Sequence, residues 1–90
     1  MAKWVITADH ICGKVTDNFS LPSRVGYGNF KGDPNELPHE FKLYDDDNEL
    51  YYEGRCSSDE SFQPLDWAEG DAGCTYIKYK NPKTGAWEIL

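Results

Sequence analysis

Ninety residues, 39% of them hydrophobic and 14% aromatic, supply one modest core and no second domain, and sixteen carboxylates against nine lysines and arginines leave a formal charge of −7. The excess is local: Asp33 to Asp71 holds thirteen carboxylates against Lys42 and Arg55, whereas residues 1–32 and 72–90 are each +2. A field of that sign repels phosphate backbones and acidic lipid, which argues against direct nucleic-acid and membrane-surface binding, and it attracts basic protein surfaces over a Debye length of ~8 Å.

In chain order, Lys3 to Ala8 (K-W-V-I-T-A) is rich in β-branched and aromatic residues and predicts a first strand, with Trp4 and Ile6 on one face and Val5 and Thr7 on the other. The short apolar run before Asp9 is too brief for a signal-peptide core, and no stretch reaches membrane-spanning length, so the expected location is cytoplasmic. From His10 to Asn29 the signals weaken. Gly13, Pro22, Gly26 and Gly28 interrupt any long element, and Ile11, Val15, Phe19, Leu21 and Val25 keep no steady period; the expectation is an irregular arm with a short strand at Arg24 to Phe30. Gly32-Asp33-Pro34-Asn35 is a turn, and Pro38 cannot donate to a ladder, so the next strand begins after it.

Glu40 to Arg55 (E-F-K-L-Y-D-D-D-N-E-L-Y-Y-E-G-R) carries the clearest pattern, with Phe41 and Leu43 alternating against polar neighbours before the acidic run, and Leu50 and Tyr52 after it. With Asp45-Asp46-Asp47-Asn48 as an even loop, Leu43 faces Leu50, Phe41 faces Tyr52 and Tyr44 faces Glu49, which puts both apolar sets on one face. Asn48 is the residue expected at positive φ. Gly54 is expected to weaken or kink the second strand near its end.

Beyond a polar loop from Cys56 to Pro64, Asp66-Trp67-Ala68-Glu69 has the spacing of a capping box, with Gly70 and Gly73 stopping the helix within about a turn. Cys74 to Lys80 alternates again, Asn81-Pro82-Lys83-Thr84-Gly85 suits a type I turn with Gly85 left-handed, and Ala86 to Leu90 returns as the last strand. The predicted fold is mainly β, a single domain over residues 1–90. It is one antiparallel sheet of four to six strands built on hairpins at 40–55 and 74–90, with an irregular N-terminal arm and at most one short helix near 65–70.

The stretches Trp4 to Ile11, Phe41 to Gly54, Pro64 to Asp66, Ala72 to Tyr79 and Gly85 to Leu90 resemble a group of small uncharacterised bacterial proteins, some carried on mobile elements. In that group the turn more often has Gly where this chain has Asn48, which agrees with a left-handed position. The resemblance implies a compact bacterial domain and no particular activity.

Several constellations have residue types that could carry chemistry. Asp45, Asp47 and Glu49 start with the spacing of a calcium loop, but Leu50 stands where such a loop needs Gly and Cys56 where it needs a bidentate Glu, so a solvated turn is the better reading. Cys12, Cys56 and Cys74 are odd in number and lack paired short spacing; with His10 and His39 they make a zinc site or a thiol enzyme only by long-range convergence. Val25-Gly26-Tyr27-Gly28-Asn29-Phe30 is faintly like the aromatic word of RNA-binding sheets but lacks its leading basic residue. No catalytic residue, no metal and no cofactor is therefore expected.

The preferred function is that of a small acidic interaction domain. Its partner-binding residues are expected to be Asp45, Asp46, Asp47, Glu49 and Glu53, with Asp59 and Glu60, and with Tyr44 and Tyr51 as an aromatic patch on the face opposite Leu43 and Leu50. The partner is a basic protein surface; if that surface normally grips nucleic acid, the domain is an inhibitor of the anti-CRISPR or anti-restriction kind. The alternatives are a small Cys/His metal protein or enzyme, and an accessory domain whose acidic surface serves only solubility.

Overall fold

Trp4–Asp9 forms strand β1, as its β-branched and aromatic content leads one to expect, and it lies not beside the next strand in sequence but beside the second strand of the acidic hairpin. In this computed structural model residues 2–13, 15–16 and 19–90 are described; Met1 and, within the expected irregular arm, Lys14, Asp17 and Asn18 lie outside the described residues. The arm contains a two-residue ladder, β2 (Val15–Thr16) with β3 (Phe19–Ser20), that the sequence did not signal. After a single 3₁₀ turn at Pro34–Glu36 come β4 (His39–Tyr44), β5 (Leu50–Cys56), helix α1 (Gln63–Ala72), β6 (Tyr76–Lys80) and β7 (Trp87–Ile89). The main sheet is antiparallel, in the order β1-β5-β4-β6-β7. No helix among the described residues is long and apolar enough to cross a membrane.

The core lies between one face of this sheet and α1. Trp4, Ile6, Phe41, Leu43, Tyr52, Cys56, Ile77 and Tyr79 from the strands meet Leu65 and Ala68 from the helix, each buried large side chain contributing about 2 kcal/mol by removal from water. Trp67 joins them, its ring 5.6 Å from that of Trp4 and 5.2 Å from that of Tyr52. The intervening residues of the central strands, among them Glu40, Lys42, Tyr44, Glu53, Arg55, Tyr76, Lys78 and Lys80, project from the opposite face by the two-residue alternation of the strands.

The hairpin register differs from the expected one. Leu43 lies opposite Tyr52, Phe41 opposite Gly54 and Tyr44 opposite Leu50, because the connection is five residues long and Tyr51 is an unpaired bulge residue that restores the parity. Leu50 is therefore half-buried and outside the core, while Tyr51 is turned to pack against it. Gly54, expected to weaken or kink the second strand near its end, lies beside a register shift in the β1–β5 ladder, between Ile6 and Ala8. It sits inside β5 between β4 and β1, where a Cβ would lie 2.3 Å from the Val5 carbonyl oxygen and 2.4 Å from Phe41 Cζ, so the missing side chain lets the Phe41 ring cross β5.

The helix also departs from its expected start and length. It begins at Gln63, with Phe62 at the N-cap and Pro in the first turn, so Asp66 is a first-turn acid near the positive helix end and not the cap. Gly70 lies within it, the burial of Pro64, Leu65 and Ala68 outweighing the ~1 kcal/mol helix penalty of a glycine, and Gly73 ends it at φ 77° with its N–H bonded to the Ala68 and Glu69 carbonyls. Asn48 at φ 62° and Gly85 at φ 75° take the left-handed positions expected of them.

The segment 26–29 runs along the outer edge of β1. The Ile6 N–H donates to the Tyr27 carbonyl, the Gly26 N–H to the Ile6 carbonyl (both 2.8 Å) and the Asn29 N–H to the Trp4 carbonyl (3.1 Å), with Gly28 bridged to Val5. The expected strand at Arg24 to Phe30 is thus an isolated bridge at a close approach, where the Gly28 backbone (φ 142°) leaves no room for a Cβ. Asp9 anchors the arm by accepting from the Ile11 and Arg24 N–H groups, and the Arg24 guanidinium reaches Asp71, which also accepts from the Tyr52 hydroxyl.

Candidate protein-docking surface

The connection of β4 to β5 is a built turn. Asp45 Oδ1 accepts from the backbone N–H groups of Asp47 and Glu49, both at 2.9 Å, and the Asn48 N–H closes on the Asp45 carbonyl at 3.2 Å. The Glu49 amide is the strongest of the influences that hold the Asp45 carboxyl below its usual range; the Asp47 amide and the Tyr51 hydroxyl add to it. Beneath the turn the Tyr44 and Tyr76 rings stack at 5.0 Å, and the Tyr76 hydroxyl donates to the Asn48 side-chain oxygen. Burial raises the Tyr44 hydroxyl above its ordinary value. With Asp45 occupied by the backbone, the carboxylates of Asp46, Asp47 and Glu49 are exposed at the tip. The same two amide bonds turn Asp45 toward its own loop, which does not suit the calcium-loop spacing read from its neighbours.

The remaining acids named from sequence are elsewhere. Glu53 projects from the open sheet face and pairs with His10 at 2.7 Å. Asp59 and Glu60 follow the far end of β5, a strand of seven residues, so roughly 20 Å of extended chain separates them from the tip. The nine residues do not form one continuous surface. Tyr44 lies on the face expected; Tyr51, swung across by the bulge, lines a cavity of about 180 Å³ with Ile11, Leu21, Arg24, Tyr52 and Asp71. Burial, and after it Asp45, raises the Tyr51 hydroxyl.

The open face between the two acidic ends is not acidic. Lys42 Nζ lies 4.2 Å from the Trp87 ring centre and Lys78 Nζ 5.1 Å from that of Tyr44, with Lys80 3.5 Å from Glu40 and Arg55 donating to the Leu37 carbonyl. The alternation of β6 puts Tyr76, Lys78 and Lys80 on one face, but no local pattern in the sequence says that this face adjoins Lys42 and Arg55.

His39 lies opposite Cys56 in the β4–β5 ladder, but the other cysteines and histidines do not join that pair. Cys12 is exposed, Cys56 and Cys74 are buried, and among the described residues there is no group of three His, Cys, Asp or Glu side chains that could hold a metal ion. Burial pushes the Cys74 thiol up to about 12, the opposite of what a thiolate nucleophile needs. No protein-family model, curated protein or solved structure matches this chain.

Proposed function

We propose that this is a small acidic interaction domain that docks the tip of its β4–β5 hairpin on a basic surface of a partner protein in the bacterial cytoplasm. The observation that carries the reading is the turn itself: Asp45 is bonded to two backbone amides, so Asp46, Asp47 and Glu49 are presented on a preorganised loop and less ordering entropy opposes binding. On a partner that grips nucleic acid the three carboxylates take the place of phosphates and the domain acts as an inhibitor, of the kind found among anti-CRISPR and anti-restriction proteins. Glu53 sits farther down the hairpin on the open face, paired to His10, and Asp59 and Glu60 lie outside this docking surface.

The test is capture from bacterial lysate at low and high salt, with the captured protein identified and its nucleic-acid binding measured against added domain. D46N/D47N/E49Q is compared with the native chain, Asp45 being kept because it holds the turn. Loss of the partner in the variant and in high salt, with nucleic acid displaced by the native domain alone, is the expected result. A partner held equally by both forms removes the electrostatic mechanism.

A further inference from the structure

The outer edge of β7 has no neighbour among the described residues. The Leu90 N–H donates to the Ile77 carbonyl at 3.1 Å and the Ala86 carbonyl accepts from the Asn81 N–H at 2.7 Å, so even-numbered residues of this strand point their backbone groups at β6. By the alternation of an antiparallel ladder, the N–H and C=O of Trp87 and Ile89 point away from the sheet, four groups in a row with no partner among the described residues. Ile89 is 65% exposed beside them. On the helix side of this edge, the side of Tyr79 and of its cross-strand partner Glu88, lies an open groove of about 450 Å³. It is lined by the carboxylates of Asp59, Glu60 and Glu88, with Lys83 and Lys80, the latter drawn off to Glu40 at 3.5 Å.

We propose that β7 is a strand-addition site for an extended basic segment of a partner protein, in which an apolar–basic–apolar triplet pairs with Trp87, Glu88 and Ile89. The backbone groups of Trp87 and Ile89 supply the ladder, the apolar residues lie against the Trp87 and Ile89 side chains on the open face, and the basic side chain enters the groove beside Glu88, Asp59 and Glu60. Charge selects this occupant over a second copy of the chain. Antiparallel pairing of two β7 strands that uses all four free groups sets Trp87 opposite Ile89 of the other copy, and so sets Glu88 directly opposite Glu88, a like-charge pair at the closest approach in the ladder. The site is remote from the hairpin tip, and stands or falls without the docking proposed there.

The experiment titrates the full chain with fluorescein-labelled Val-Arg-Val-Arg-Val, with its Glu counterpart, and with the Arg peptide N-methylated at alternate residues, while backbone amide spectra are followed by NMR. The Arg peptide is expected to bind at least about tenfold more tightly than either control, to shift the Trp87 and Ile89 amides most, and to bind D46N/D47N/E49Q as it binds the native chain. Glu88→Lys is expected to reverse the preference between Arg and Glu peptides. Undiminished binding of the N-methylated peptide overturns the proposal in favour of charge attraction alone, shifts confined to residues 45–49 overturn it in favour of the tip, and a concentration-dependent dimer with shifted β7 amides and no peptide present overturns it in favour of a second copy.

Discussion

Along β1 the outward backbone groups of Trp4 and Ile6 are taken up by the segment 26–29, whereas along β7 those of Trp87 and Ile89 face away from the sheet. The covered edge depends on long-range fittings: a glycine that brings two backbones together, an Asp9 carboxylate bonded to the Ile11 and Arg24 amides, and an Arg24–Asp71 ion pair at 3.1 Å. The bare edge needs none of these and is kept short, at three residues, with lysines close by, which is how an unpaired edge is kept from indiscriminate pairing. The two ends of one sheet thus differ in how much of the chain must be correct to make them.

The largest effect expected tests whether the two edges nevertheless belong to one cooperative unit. Burial holds the Cys74 thiol up from 9.0 to about 12, and burial likewise raises the Tyr52 and Tyr79 hydroxyls. Between those pH values the folded state keeps a proton that the unfolded chain has lost, so stability is intact below about pH 9 and falls as pH rises toward about 12. Near-ultraviolet circular dichroism and tryptophan emission followed from pH 8 to 12 should report one transition. If the signal from Trp87, isolated in a W4F/W67F background, departs before that of the far-ultraviolet spectrum, the bare edge opens on its own and the two edges are separate units.

Next in size are the glycines of the covered side. Gly54→Ala places a methyl against the Val5 carbonyl and the Phe41 ring, neither of which can withdraw without breaking a ladder or the core, and should cost about 3 kcal/mol in urea unfolding. Gly28→Ala puts a Cβ 2.2 Å from the Trp4 carbonyl at a φ of 142°, and should cost about 2 kcal/mol while releasing the amides of Ile6 and Gly26 to exchange. A Gly28→Ala protein as stable as the native one would mean that the covering segment contributes nothing and that both edges are in effect bare.

What was legible in the sequence divides along the same line. The strands at 41–44 and 76–80, the left-handed Asn48 and Gly85 and the two hairpins were readable because period and turn chemistry are local. The covering of β1 was not, since nothing near Gly28 states that Trp4 and Val5 will lie against it. The hairpin register was hidden for a related reason: an odd loop with a compensating bulge at Tyr51 keeps Phe41, Leu43 and Tyr52 on the core face as an even loop would and changes only the places of Leu50 and Tyr51, so alternation alone does not separate the two. At the candidate site the exposed tip acids were plain from their run in sequence. The anchoring role of Asp45, the position of Asp59 and Glu60 at the opposite end, and the lysine-rich open face arise from contacts between distant parts of the chain or from turn geometry that the residue order does not state. The corrected register has its own check: Leu50→Asp should cost about 1 kcal/mol, where a core partner of Leu43 would cost several.

The smallest effect bears on the bare edge directly. Ile89 is 65% exposed on a strand paired on one side only, so Ile89→Lys removes little buried area and adds a charge where water already reaches; its cost should be within about 0.5 kcal/mol of zero by urea denaturation. The same change on the covered edge, Val5→Lys, buries a charge at a residue only 5% exposed and should be many times worse. If Ile89→Lys is instead as costly as Val5→Lys, something covers β7 in solution, and the exposed backbone of Trp87 and Ile89 is already paired before any partner arrives.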